Sequence, residues 1–119
     1  MRNGIVLNEE EQKSYCDRLT AVLAELRKRL GQTQEEMEST SGISRVTLSQ
    51  IESGRSRMSW LHFTALMQLF IQNQESKELL YVRGILDERL LRVYQQLTTE
   101  EAPEFNPAVA EHQLPGING

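Results

Sequence analysis

The chain has 119 residues, enough for one domain with a buried core and too few for a pair of domains enclosing a cleft. Aromatic residues make up 6% of it, β-branched residues never gather in alternating runs, and the single cysteine, Cys16, has no partner for an internal disulfide, so an all-α fold in a reducing cytoplasm is expected. The net charge of −4 argues against a polyanionic partner for the chain as a whole, and no apolar run approaches a membrane span or signal-peptide core, so no membrane partner is expected.

After a short lead, Asn8 with Glu11 three residues later reads as a helix N-cap with its reciprocal acid. Helix one follows, with Tyr15, Leu19, Val22, Leu23, Leu26 and Leu30 at helical spacing, Arg27 to Arg29 at its C-terminal end, and Gly31 at the C′ position. Cys16 falls on it as a half-buried helix residue, since neither His62 nor His112 is near enough in sequence to activate a thiolate. Thr33 with Glu36 opens a helix of barely two turns that ends at Gly42.

Ser44 caps a third helix, about Arg45 to Ser53, that offers only Leu48 and Ile51 to a core, with Ile43 just before it. Its other face carries Arg45, Val46, Ser49 and Gln50. Ser59 caps a fourth helix with two apolar stripes, Trp60, Phe63, Leu66, Met67 and Phe70 on one and Leu61, Ala65 and Leu69 on the other, which implies two packing partners. A long fifth helix is expected over roughly Lys77 to Leu97, where Leu79, Val82, Leu86, Leu90, Val93 and Leu97 recur at steps of three and four. From Thr98 the chain turns acidic and Pro-containing, with Pro103, Pro107 and Pro115, and Asn106 followed by Pro107 could start a short helix through Gln113. The expected division is therefore 1–73 for an N-terminal extension and a helical core at about 23–70, 74–97 for a C-terminal helix suited to dimerisation, and 98–119 for an acidic tail.

Charge is not spread evenly. From Arg27 to Arg57 six bases (Arg27, Lys28, Arg29, Arg45, Arg55, Arg57) stand against four acids (Glu35, Glu36, Glu38, Glu52), a local +2 that leaves −6 for the rest. That asymmetry permits DNA binding through one face.

The stretch from Leu26 to Arg55, LRKRLGQTQEEMESTSGISRVTLSQIESGR, resembles the DNA-binding module of the XRE family, the phage-repressor and Cro-like helix-turn-helix proteins. The matching residues are Arg27 four before Gly31, Thr33-Gln34-Glu35-Glu36, Gly42, Ser44, Thr47-Leu48-Ser49, Ile51-Glu52 and Gly54-Arg55. The resemblance implies a repressor-like fold of five helices and a second arm of the motif that enters the major groove. It places Arg45, Val46, Ser49 and Gln50 against bases, where Arg45 suits guanine, Gln50 adenine and Val46 a thymine methyl. It places Gln34 at a phosphate, and Ser44 at the start of the third helix and Arg55 and Arg57 in the loop after it are also expected at phosphates, where helix N-termini and cations neutralise charge. Arg27 and Glu52 are implied as a partly buried ion pair that maintains the module. Three positions depart from the family: Glu38 stands where Ala is usual, and Ser41 and Gln32 where Leu is usual. A buried acid at 38 would cost several kcal/mol unless it reached solvent or a base.

Double-stranded DNA is the expected partner, bound as a homodimer, because one module reads too few base pairs while a two-fold dimer reads half-sites about 34 Å apart. The expected function is a transcriptional regulator, a repressor. The same fold also serves antitoxins and other protein-interaction modules, which the C-terminal helix or tail would suit. No catalytic constellation, metal site or cofactor is expected: His62 and His112 lack partners at ligand spacing, and no phosphate-cradling Gly-rich loop occurs.

Overall fold

The computed structural model describes residues 6–101, with side chains through Gln95. The tail carrying Pro103, Pro107 and Pro115, and the short helix expected after Asn106, lie outside the described residues. Among the described residues the chain is all-α: α1 (Glu9–Arg29), α2 (Gln34–Ser41), α3 (Arg45–Glu52), α4 (Trp60–Ile71), α5 (Gln74–Val82) and α6 (Glu88–Glu101). None of these helices is long and apolar enough to cross a membrane.

Side chains fix where the first five helices begin. The amide N–H of Glu11 donates to Asn8 at 2.8 Å while that of Asn8 donates to the Glu11 carboxylate at 3.0 Å, and Thr33 and Glu36 repeat the exchange at 3.1 and 2.9 Å. At α4 the acid's part is played by an imidazole: His62 Nδ1 accepts from the Ser59 N–H at 3.3 Å, so His62 serves as a capping residue. Asn73 caps α5.

Residues Leu7–Asp87 form one compact unit. Its core is built from Leu19, Leu23 and Leu26 of α1, Met37 of α2, Leu48 and Ile51 of α3, Phe63, Leu66 and Phe70 of α4, and Leu80 of α5, all fully buried. Helix α1 packs on α3, α4 and α5, and α2 packs on α3 and α4, so the two short helices rest on a scaffold of longer ones. Trp60 lies half-buried, stacked on Phe63 with 4.7 Å between ring centroids. Cys16 is buried, and burial pushes its thiol up to about 11, which leaves it unreactive at neutral pH.

The single fifth helix expected over Lys77 to Leu97 is instead two helices. Gly84 takes a left-handed conformation (φ +75°) that residues with a side chain rarely adopt, and the chain reverses there. The N–H of Ile85 then donates to the Leu80 carbonyl at 2.9 Å, which turns Ile85 and Leu86 into the core. The three-and-four spacing runs through this turn by coincidence. Val82, assigned by that spacing to the apolar stripe, is 78% exposed. Helix α6 belongs to a second unit, continues to Glu101 rather than ending at Leu97, and carries an exposed Glu88–Arg92 pair one turn apart at 2.8 Å.

The turn after α5 is clamped to α1. Tyr15 donates its phenol proton to Asp87 Oδ1 at 2.7 Å, and Arg18 donates to the Gly84 carbonyl at 2.7 Å and lies over the Tyr15 ring at 4.2 Å. Burial first, and the Asp87 carboxylate second, raise the Tyr15 phenol from 10.0 to about 12. The folded state thus keeps a proton that the unfolded chain gives up, so this contribution to stability is complete below pH 10 and is lost as pH rises to about 12. Tyr15→Phe should cost about 1 kcal/mol at neutral pH. Its unfolding midpoint should also fall less steeply than that of the parent protein between pH 10 and 12. Parallel pH profiles for the two proteins would refute the account.

Candidate nucleic-acid interface

Helix α3 divides cleanly into two faces. Leu48 and Ile51 point into the core, with Ile43 buried beside them, while Arg45, Val46 and Gln50 are exposed and Ser49 is half-buried. Val46 stands out chemically: a valine 56% open to solvent, between an arginine and a glutamine, contributes nothing to the module's own core. Helix α2 joins α3 through Gly42, whose left-handed backbone (φ +81°) closes α2, and Ser44, whose hydroxyl accepts from the Thr47 N–H at 3.1 Å.

The three departures from the family pattern each find a partner. Glu38 is exposed, clear of the α2–α3 core, and its carboxylate accepts the Arg45 N–H at 3.1 Å. The anticipated burial cost does not arise, because the acid caps the positive end of α3 from outside. Ser41 accepts from the Ile43 N–H at 3.1 Å and donates to the Met37 carbonyl at 2.7 Å, tying down the turn that a leucine would only cover. Gln32 accepts the Arg27 guanidinium on its backbone oxygen at 3.0 Å and the Thr40 hydroxyl on its side chain at 3.2 Å.

Arg27 and Glu52 form a two-pronged ion pair, Nε to Oε2 at 2.8 Å and Nη2 to Oε1 at 3.1 Å, with side chains only 15% and 10% exposed. The hydrogen bond to Glu52 raises the Arg27 pKa still further above its ordinary value, so the pair stays charged. Gln34 joins it, Nε2 donating to Glu52 Oε1 at 3.0 Å. One carboxylate therefore fastens the end of α3 to the end of α1 and the start of α2.

Around this frame the remaining polar residues fall into two groups. Ser44 spends its hydroxyl on the α3 cap and on Thr47 Oγ1, and Arg45 Nε lies 4.0 Å from the Glu35 carboxylate. Gln50 Oε1 accepts the Ser56 hydroxyl at 3.1 Å. Arg55 and Arg57 are exposed in the following loop and have no side-chain partner among the described residues. The ties made by Glu38, Gln34 and Ser56 are not readable from local spacing. Glu38 acts across a turn, seven residues before the N–H it caps, where the usual capping box spans three.

Two short helices at a fixed angle, joined by a glycine-containing turn and presenting the second one's outer face, define a helix-turn-helix motif. Residues 18–75 match the family model described as "Helix-turn-helix domain", a family associated with XRE-like proteins, so that segment is a helix-turn-helix domain. Comparison with curated proteins and with solved structures gives no significant match. No group of three or more metal-ligating side chains occurs among the described residues.

Removing one partner of the buried pair leaves the other charge uncompensated, so Arg27→Ala should destabilise the domain by about 3 kcal/mol. The double variant Arg27→Met, Glu52→Met, which removes both charges and keeps apolar volume, should cost less than either single alanine variant. Denaturant midpoints in which the double variant equals the sum of the singles would exclude this coupling.

Proposed function

We propose that the protein is a sequence-specific DNA-binding transcriptional regulator, a repressor, that binds a palindromic site as a homodimer with α3 in the major groove. The observation that carries this reading is the outer face of α3, where exposed Val46 sits among Arg45, Ser49 and Gln50 while Leu48 and Ile51 hold the helix from behind. Arg and Gln match the donor and acceptor patterns of guanine and adenine, and a valine methyl suits the thymine methyl. Arg55 and Arg57, which have no side-chain partner among the described residues, serve phosphates, and Gln34 and Ser44 lie at the N-termini of α2 and α3, where phosphate oxygens are also favoured.

Base and backbone contacts have separable signatures. Arg45→Ala and Gln50→Ala should each cost the selected site on the order of 1–3 kcal/mol and relax preference at one or two positions per half-site. Arg57→Ala should weaken binding to all sequences alike and flatten the slope of log K against log salt by roughly one. Selection from a random duplex pool followed by titration on selected and scrambled DNA distinguishes them. An unchanged selected-to-scrambled ratio in both α3 variants would remove α3 as the reading element.

Within the compact unit the dimer surface proposed is the outer stripe of α4 with the exposed end of α5, and α6 is proposed as a further dimerisation element. Leu61 is 77% exposed, and Ala65 and Leu69 are half-buried beside it. Leu79 and Leu80 of α5 are committed to the module's own core, which leaves Tyr81 and Val82 for a second copy. The same exposed Leu61 and Val82 favour the second reading, a protein-interaction module of antitoxin type whose partner covers them. Leu61→Glu should convert a dimer to monomer in sedimentation at micromolar concentration without lowering the unfolding midpoint. A parent protein already monomeric at high micromolar concentration would eliminate the homodimer and favour the partner-bound reading.

A further inference from the structure

The turn that leaves α3 folds back on one side chain. Ser56 donates twice to Gln50, its backbone N–H to the Gln50 backbone carbonyl at 3.1 Å and its hydroxyl to Gln50 Oε1 at 3.1 Å, while the Arg55 N–H shares the same carbonyl at 2.8 Å. Gly54 makes this possible, since its left-handed backbone (φ +82°) turns the chain over the end of the helix. Gln50 is exposed and its side chain makes no other hydrogen bond among the described residues, so Ser56 is the polar group that restrains its amide.

We infer that Ser56 is a positioning residue for base recognition, holding the Gln50 amide in the orientation that meets a base edge. The inference rests on the proposed role of α3 as the reading helix. A carbonyl oxygen has two lone pairs and the amide nitrogen two protons. With one lone pair taken by the Ser56 hydroxyl, Gln50 still presents one acceptor and its N–H donors, the complement of the adenine N6 and N7 edge. An unrestrained glutamine on a helix surface must give up its rotamer freedom when it binds, whereas one already tied to its own turn has given up most of it. Ser56 itself is half-buried in the turn, and Gln50 makes the contact.

The test uses the full chain and a duplex selected from a random pool with the parent protein. Ser56→Ala removes only the hydroxyl and leaves the backbone bond, so the unfolding midpoint should stay within error of the parent. Affinity for the selected duplex should fall roughly 3- to 10-fold, from the freedom regained by one long side chain. Affinity for scrambled DNA and the salt slope should not change, and Ser56→Thr, which keeps the hydroxyl, should restore binding. In a Gln50→Ala background, Ser56→Ala should have no further effect. Full affinity for the selected duplex in Ser56→Ala overturns the inference. So does an equal loss with and without Gln50, or an equal loss on scrambled DNA, since either would make Ser56 an independent phosphate contact. A parent protein that enriches no sequence overturns the DNA-reading proposal itself, and the inference falls with it.

Discussion

The Glu52 carboxylate is the constraint on which the geometry of the motif depends. Two short helices of 8 residues each cannot hold an angle by their own contacts, because each offers only one or two side chains to the core. Met37 alone is buried from α2, and Leu48 and Ile51 from α3. Hydrophobic burial keeps these helices in place but is non-directional, and it fixes orientation poorly. The paired Arg27 and Glu52 supply direction, since a planar guanidinium and a planar carboxylate meet in one geometry, and Gln34 brings α2 into the same arrangement. With α1 anchored across α3, α4 and α5, the orientation of α3 is referred to the whole unit rather than to its neighbour.

The electrostatics at α3 are more balanced than a count of bases implies. Glu38 caps its first turn, Glu35 lies 4.0 Å from Arg45 Nε, and the chain as a whole carries −4. With that balance, the net charge gives no general attraction for a polyanion, and on the proposed reading the attraction near α3 is weakened by these acids. Affinity for phosphate alone is then low, and binding depends more on base-edge contacts, which raises the ratio of specific to nonspecific affinity on the proposed reading. Glu38 contributes to both sides of this balance, because the carboxylate that stabilises the helix by capping it also occupies an N–H that a phosphate would otherwise take.

Much of this structure is legible in the sequence because its signals are local. The caps at Asn8, Thr33, Ser44 and Ser59 depend on side chains within three residues of the amides they satisfy, and the apolar stripes of α1 and α4 follow the helical period. The fifth helix was misleading for a physical reason. Leu79, Val82 and Leu86 keep the helical spacing across a turn, and only Gly84, a residue tolerated inside helices at modest cost, marks the break. The contacts that organise the candidate site are legible only in part. Arg27 with Glu52 is visible through resemblance to a family, whereas Glu38 with Arg45 and Gln34 with Glu52 join residues on different helices, where no period or spacing rule applies.

The polar residues of the proposed interface divide by how much freedom they retain, and the division matches the two kinds of contact DNA demands. Gln50 is tied to Ser56, while Arg55 and Arg57 extend from a loop with no side-chain partner among the described residues. A base edge offers donors and acceptors at fixed positions in the groove, so a reader gains from an amide held in advance and loses discrimination if it swings. A phosphate is a charge accessible from many directions and is displaced along the backbone when the duplex bends or slides, so a long flexible cation follows it better than a fixed one. A held amide on the reading helix and extended guanidinium groups on the loop are therefore the distribution expected of a surface that registers loosely on the backbone first and discriminates between bases second.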